Sequence, residues 1–210
     1  MRLKKKTKKA LIAIVTVATI TLIALVSVIV IKKINNKPDV KEVKVLKSIE
    51  AYGYDLKDNK NEKYKKMFKE LEDILRKETV SDEEYVKKIT EMFIYDFYSL
   101  EDKTAKTDIG GVDFVLPAAL ENFLVNAEDT YYKYVESNLY GERKQDLPMV
   151  DTITIENTAL TEYTYKNTKY TAYKVKAAWK YTDTKFSNYQ SGATLIFIKD
   201  DIKYYLVELQ

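Results

Sequence analysis

The sequence predicts an α+β fold: an N-terminal transmembrane helix, then three helices packed on a curved antiparallel sheet of about four strands. Three observations lead there. Ala10 to Ile31 is a run of 22 residues without a charge, Gly or Pro. From Asn61 to Leu100, and again from Leu120 to Val135, the apolar residues recur at helical spacing. After Pro148 the apolar period falls to 2, the signature of half-buried strands.

At 1.5 Å per residue the first run spans about 33 Å, against a hydrocarbon core of roughly 30 Å. Its polar side chains, Thr16, Thr19, Thr21 and Ser27, can bond back to their own helix. A cleavable signal peptide has an apolar region of about 7–15 residues ending in a small-x-small site. This run instead passes directly into Lys32-Lys33-Ile34-Asn35, so it reads as an uncleaved signal anchor. Six basic residues precede it (Arg2, Lys4, Lys5, Lys6, Lys8, Lys9) and no acidic one. The positive-inside bias then predicts a single-pass protein of the cell membrane, N-terminus cytoplasmic and C-terminal domain extracellular. The expected organisation is a cytoplasmic basic tail over 1–9, the transmembrane helix over 10–31, a stalk or linker over 32–60 and an exterior α+β domain over 61–210.

The tail changes the sign of the charge. The whole chain carries +3, but beyond Ile31 there are 29 basic and 32 acidic residues, a net of −3. A mildly acidic domain of mixed charge lacks the dense basic face that phosphate backbones require, which argues against a nucleic-acid partner. The 32 Lys against three Arg, and the 18 Tyr, fit a genome biased toward AT-rich codons. With no Cys and no His, the chain has no disulfide, thiolate nucleophile, Cys/His zinc site or Ser-His-Asp arrangement.

Residues 32–60, with Pro38 and scattered charge, read as a spacer holding a short helix or strand between Val40 and Ala51. Tyr64, Met67, Phe68, Leu71, Ile74 and Leu75 form the apolar stripe of a first exterior helix. Ser81 and Glu84 form a capping box, with Val80 and Tyr85 placed as a hydrophobic staple. They open a second helix whose face carries Tyr85, Ile89, Met92, Phe93, Phe97 and Leu100. The short link makes the two an αα-hairpin. The pair Gly110-Gly111 lacks the Lys and further glycines of a phosphate loop and reads as a turn into a short strand. Pro117 opens a third helix with the stripe Leu120, Phe123, Leu124, Ala127, Tyr131, Tyr134 and Val135, stopping near Gly141.

Ile153, Ile155, Tyr163 and Tyr165 then alternate toward a turn at Asn167-Thr168. Tyr173, Val175, Ala177, Trp179 and Tyr181 form the apolar face of the next strand. Leu195 to Ile198 and Tyr204 to Leu209 are two more, joined by Lys199-Asp200-Asp201. Short links predict an antiparallel meander with one face packed and one wet.

This order of elements resembles the cone-shaped nuclear transport factor 2-like fold over about residues 60–210. A membrane-anchored version of that fold is the assembly subunit of type IV secretion systems and its Gram-positive conjugation counterparts. The segments Tyr52-Gly53-Tyr54, Asp96-Phe97-Tyr98-Ser99-Leu100, Asp108-Ile109-Gly110-Gly111 and Tyr131-Tyr132-Lys133-Tyr134 resemble single-pass membrane proteins of low-GC Gram-positive bacteria. That resemblance implies a location and no chemistry.

Small cone-fold lyases and isomerases work with Asp and Tyr and need no His. By helical phase Asp96 falls beside Phe93, Phe97 and Leu100, so it is the best candidate for a partly buried carboxylate, with Tyr98, Tyr131 and Trp179 as pocket walls. The competing reading, which the sequence favours, has Asp96 paired with a lysine or capping a turn at the rim of the core. Asp82-Glu83-Glu84 fits a helix first turn and Asp200-Asp201 a hairpin turn, so neither is assigned a metal. No catalytic, cofactor-binding or metal-ligating residue is assigned. The expectation is a non-enzymatic interaction or assembly module that meets the membrane through Ala10 to Ile31 and an envelope protein outside. The alternative is a small-ligand-binding or lyase/isomerase cone. Fused at its carboxyl terminus to alkaline phosphatase, the full chain is expected to give phosphatase activity in cells; activity only of a cytoplasmic reporter at the same position reverses the orientation.

Overall fold

The computed structural model describes residues 43–210. The run Ala10 to Ile31 lies outside them; among the described residues no helix is long and apolar enough to cross a membrane. A hairpin of β1 (Val45–Ile49) and β2 (Tyr54–Lys57) comes first. Helices α1 (Glu62–Leu75), α2 (Asp82–Tyr98) and α3 (Leu120–Asp129) follow. The chain ends in a curved antiparallel sheet of β3 (Val150–Tyr165), β4 (Thr168–Tyr181), β5 (Gly192–Asp200) and β6 (Lys203–Leu209), in the order β3-β4-β5-β6.

The first two helices start where a side-chain cap dictates. Asn61 accepts the N–H of Tyr64 (3.0 Å) and Ser81 that of Glu84 (3.3 Å), satisfying donors the first turn leaves free. α1 buries one stripe, Tyr64, Met67, Phe68, Leu71 and Leu75. α2 is the axis of the domain: every residue from Met92 to Leu100 is buried, as expected of a helix enclosed on all sides. Its rings meet the sheet through Val175, Ala177, Leu195, Phe197 and Leu206, which point inward from β4, β5 and β6.

Several expectations need correction. The stalk assigned to 32–60 gives part of its length to the compact unit. Ile49, Tyr54 and Leu56 are buried in the main core, the Tyr54 and Tyr85 hydroxyls share a hydrogen bond (2.7 Å), and Lys47 bonds to buried Glu72. The folded unit therefore begins before Asn61. The third helix ends at Asp129, short of Val135. Past it, Tyr132 turns inward, donating to the Phe97 carbonyl (2.6 Å) and accepting from the Gly110 N–H (3.1 Å). Tyr132 is fully buried and Tyr134 exposed, the reverse of the helical stripe. Gly110-Gly111 leads into a 3₁₀ turn at Val112–Phe114, and the strand expected there is a single bridge from Val115 to Leu206.

The most consequential difference is a β-bulge. The register of β3 on β4 shifts between Ile155 and Asn157. One inserted residue reverses the facing of all that follow. Ile153 and Ile155 pack on the main core, whereas Tyr163 and Tyr165 lie on the other face of the sheet. There they join Tyr170 and Tyr205 around a second small cluster, Leu116, Ala172, Ile196 and Ile198.

The β3–β4 turn is centred on Lys166 (φ 45°) and Asn167 (φ 67°), a two-residue turn with both central residues left-handed. A lysine in that region costs about 1 kcal/mol more than Asn or Gly. The double substitution Lys166→Asn with Asn167→Gly should raise the thermal midpoint by about 2–4 °C without moving the register, read by calorimetry on the purified full chain.

Candidate functional site

Asp96 sits in the last turn of α2 and is 8 % exposed. Its carboxylate is fully occupied. Lys60, from the segment entering α1, donates to Oδ1 (2.6 Å), and Lys103, from the loop leaving α2, donates to the same oxygen (2.8 Å). The N–H of Gly111 donates to Oδ2 (2.9 Å). Lys103 is itself 4 % exposed, so this is a buried ion cluster. Burial alone would push the carboxyl up; the Lys103 and Lys60 ammonium groups outweigh it and hold Asp96 well below the usual carboxylate range. It is an anion at neutral pH, unable to donate a proton and weak as a base.

The glycines permit this closeness. A Cβ on Gly110 would lie 2.1 Å from the Asp96 carbonyl oxygen and 2.8 Å from Lys103 Nζ. Gly111, at φ +74°, would put a Cβ 2.6 Å from the Phe93 ring. The loop is a cradle closed on a carboxylate of its own chain. Beside it, Asn61 donates to Asp102 (2.7 Å) and to the Tyr95 hydroxyl (2.8 Å), around a void of about 30 Å³, room for one water.

Tyr98, Tyr131 and Trp179 do come together. Tyr98 lies 4.2 Å from Trp179 and 4.9 Å from Tyr131 between ring centroids, and Tyr131 stacks on Phe97 at 5.6 Å. These rings fill the space between themselves. Burial pushes the Tyr98 and Tyr131 hydroxyls well above the usual tyrosine range, so neither is an activated acid or base. Asp96 belongs to a different cluster, its hydrogen bonds going to Lys60, Lys103 and Gly111. Its lysine partners carry no periodic signal in the sequence; the hint was the Gly pair, which marks a close backbone approach.

The open space lies elsewhere. A groove of about 390 Å³ runs between α3 and β6, lined by Phe97, Val115, Phe123, Ala127, Leu206 and Leu209, with Glu208 as its one ionisable group. A polar cleft of similar volume near Arg143 is internally paired: Lys185 binds Asp146 (3.0 Å), and the Arg143 guanidinium donates to the carbonyls of Lys103 and Glu101. Among the described residues no three acidic side chains converge on a cation site. Comparison of the chain with protein-family models, curated proteins and solved structures finds no match.

Asp96→Asn leaves two lysines without their counter-charge, and breaking a buried pair costs about 3–5 kcal/mol. Because the folded carboxyl is depressed, its stabilisation is present above the unfolded value of about 4 and lost as pH falls below it. Half-buried Asp113, pushed up by burial, acts in the opposite sense in both proteins. The stability gap between wild type and Asp96→Asn should therefore be widest near neutrality and shrink below about pH 4, measured by urea unfolding across that range.

Proposed function

We propose that the chain is a membrane-anchored protein whose exterior domain is a non-enzymatic module for protein–protein contact in an envelope assembly. The observation that carries this reading is the β3–β4 arm. β3 is 16 residues long at the edge of its sheet, and from Glu156 to Glu162 nearly all of it is exposed, Leu160 to 65 %. Natural sheets cover or blunt such an edge, so a long uncovered one is suited to contact with another chain. The buried polar groups supply no competing chemistry, since Asp96 is neutralised within the fold and the tyrosines near it are shifted away from reactivity.

The anchor and its orientation rest on the run Ala10 to Ile31 and the basic residues before it. The layout of three helices followed by a four-stranded meander supports the nuclear transport factor 2-like cone, with the α3–β6 groove at the open side of the sheet. That groove favours one second reading, a cone that binds a small apolar ligand without acting on it. An acid–base enzyme centred on Asp96, Tyr98, Tyr131 and Trp179 is the weaker form of that alternative, because Asp96 is locked as an anion.

A photo-cross-linking amino acid at Thr161, on the exposed arm, should yield discrete protein adducts when the full chain is expressed in its own membrane. The same group at exposed Glu142 should yield none. Identical patterns from both sites, or none from either, would remove the interaction reading.

A further inference from the structure

We infer that the free edge of β3 between Asn157 and Thr164 takes an added strand: an extended, lysine-bearing segment of another protein with an apolar residue two positions after a lysine. This rests on the interaction-module reading and specifies its partner. Counting back from the closing pair Tyr165↔Thr168, hydrogen-bonded and open pairs alternate along an antiparallel ladder. The N–H and C=O groups of Thr158, Leu160, Glu162 and Thr164 therefore point away from β4, toward the edge. Among the described residues their one partner is the neighbouring Thr161 hydroxyl, 3.5 Å from the Glu162 carbonyl. The stretch carries no Pro and no Lys, the residues that ordinarily protect an edge.

Charge selects the partner. β3 carries Asp151, Glu156 and Glu162 and no basic residue, whereas β4 carries four lysines and no acid. On the β4 side the acids already meet lysines, Lys176 with Glu156 (2.9 Å) and Lys169 with Glu162 (3.6 Å). At the far end Lys63 reaches over the edge to the Asp151 carbonyl. A strand added on the open side would have the acids as its direct cross-strand neighbours, with the β4 lysines about twice as far away. Leu160, exposed on the same face as Glu162 and two residues before it, asks for an apolar residue opposite. A second copy is a poor occupant, because β3 has acids and no basic residue to offer them, and the register that pairs Thr158 with Leu160 sets Glu156 against Glu162.

The probe is a labelled nine-residue peptide, Thr-Thr-Lys-Thr-Val-Thr-Val-Thr-Lys, titrated into the full chain in detergent micelles and followed by fluorescence anisotropy. Saturable binding is expected, weakened about tenfold by Glu156→Lys with Glu162→Lys and unaffected by Glu142→Lys. N-methylating the peptide at the residues opposite Glu162 and Leu160 should abolish binding while preserving its charge and leaving the protein untouched. Leu160→Pro, which removes only an outward N–H, should do the same. Absence of binding, equal binding of a version with Glu for Lys, or indifference to N-methylation overturns the inference. So does a concentration-dependent dimer in sedimentation that Leu160→Pro dissolves, since it gives the edge to a second copy. Failure here alongside discrete Thr161 adducts in cells would leave the interaction reading standing and remove only strand addition.

Discussion

The cluster around Asp96 holds three separate stretches of chain in register. Lys60 precedes the cap of α1, Asp96 closes α2, and Lys103 and Gly111 belong to the long loop that follows. Asn61 extends the tie, capping α1 while donating to Tyr95 and Asp102. Transferring these ions from water is costly, and a buried ion pair is often no better for stability than a well-packed apolar substitute. What it supplies is a geometric requirement: four donors and acceptors must coincide, and a loop displaced by a few ångströms leaves a naked charge in the core. The two glycines let the backbone come close enough to meet that requirement.

From this clamp the chain runs straight to the sheet. Gly111 opens the turn that delivers Val115 and Leu116 to β6, where the Leu116 N–H donates to the Leu206 carbonyl (3.0 Å). Val115 enters the main core and Leu116 the cluster on the opposite face, so consecutive residues bind two sides of one sheet. One edge of the sheet is thus partly covered by the loop that Asp96 positions. From Asn157 to Thr164 the β3 edge has no such cover among the described residues, and the two edges of one sheet have different fates for a traceable reason.

The helices were legible because their signals are local. Apolar spacing, the Ser81 cap and the period change after Pro148 each survive in the folded domain. The misread elements depend on distant partners. Tyr132, outside the expected stripe, turns inward because the Phe97 carbonyl and the Gly110 N–H, far off in sequence, await its hydroxyl. The hairpin at 45–57 looked like a spacer because its apolar residues are few, and of these Ile49, Tyr54 and Leu56 are buried in the main core while Val45 and Leu46 stay exposed. Lys60 and Lys103 were two among 32 lysines, indistinguishable until the fold set them on one oxygen. The bulge is the sharpest case. Ile153, Ile155, Tyr163 and Tyr165 are all odd-numbered, and a strict period of 2 puts them on one face; a single inserted residue does not announce itself in composition.

That bulge also explains why the arm is built as it is. Before it, β3 is an ordinary core strand backed by α2. Beyond it the inward phase passes to Thr158, Leu160 and Glu162, a surface too polar to be a core and with only Tyr173 and Val175 opposite. The tyrosines meanwhile move to the outer face, where an aromatic ring can cover Ala172 and Ile198 while its hydroxyl stays at the surface, that of Tyr165 donating to the Ala118 carbonyl (3.4 Å). Part of the abundance of tyrosine therefore has a structural use: it lets a hairpin be packed on the side away from the helices. A strand anchored at its base by the main core and along its back by this second cluster keeps its backbone straight without a neighbour on its open edge. Rigidity of that kind would lower the ordering cost to a partner that adds there, and in the interaction reading we propose, the contact falls on backbone groups that no residue motif could have revealed.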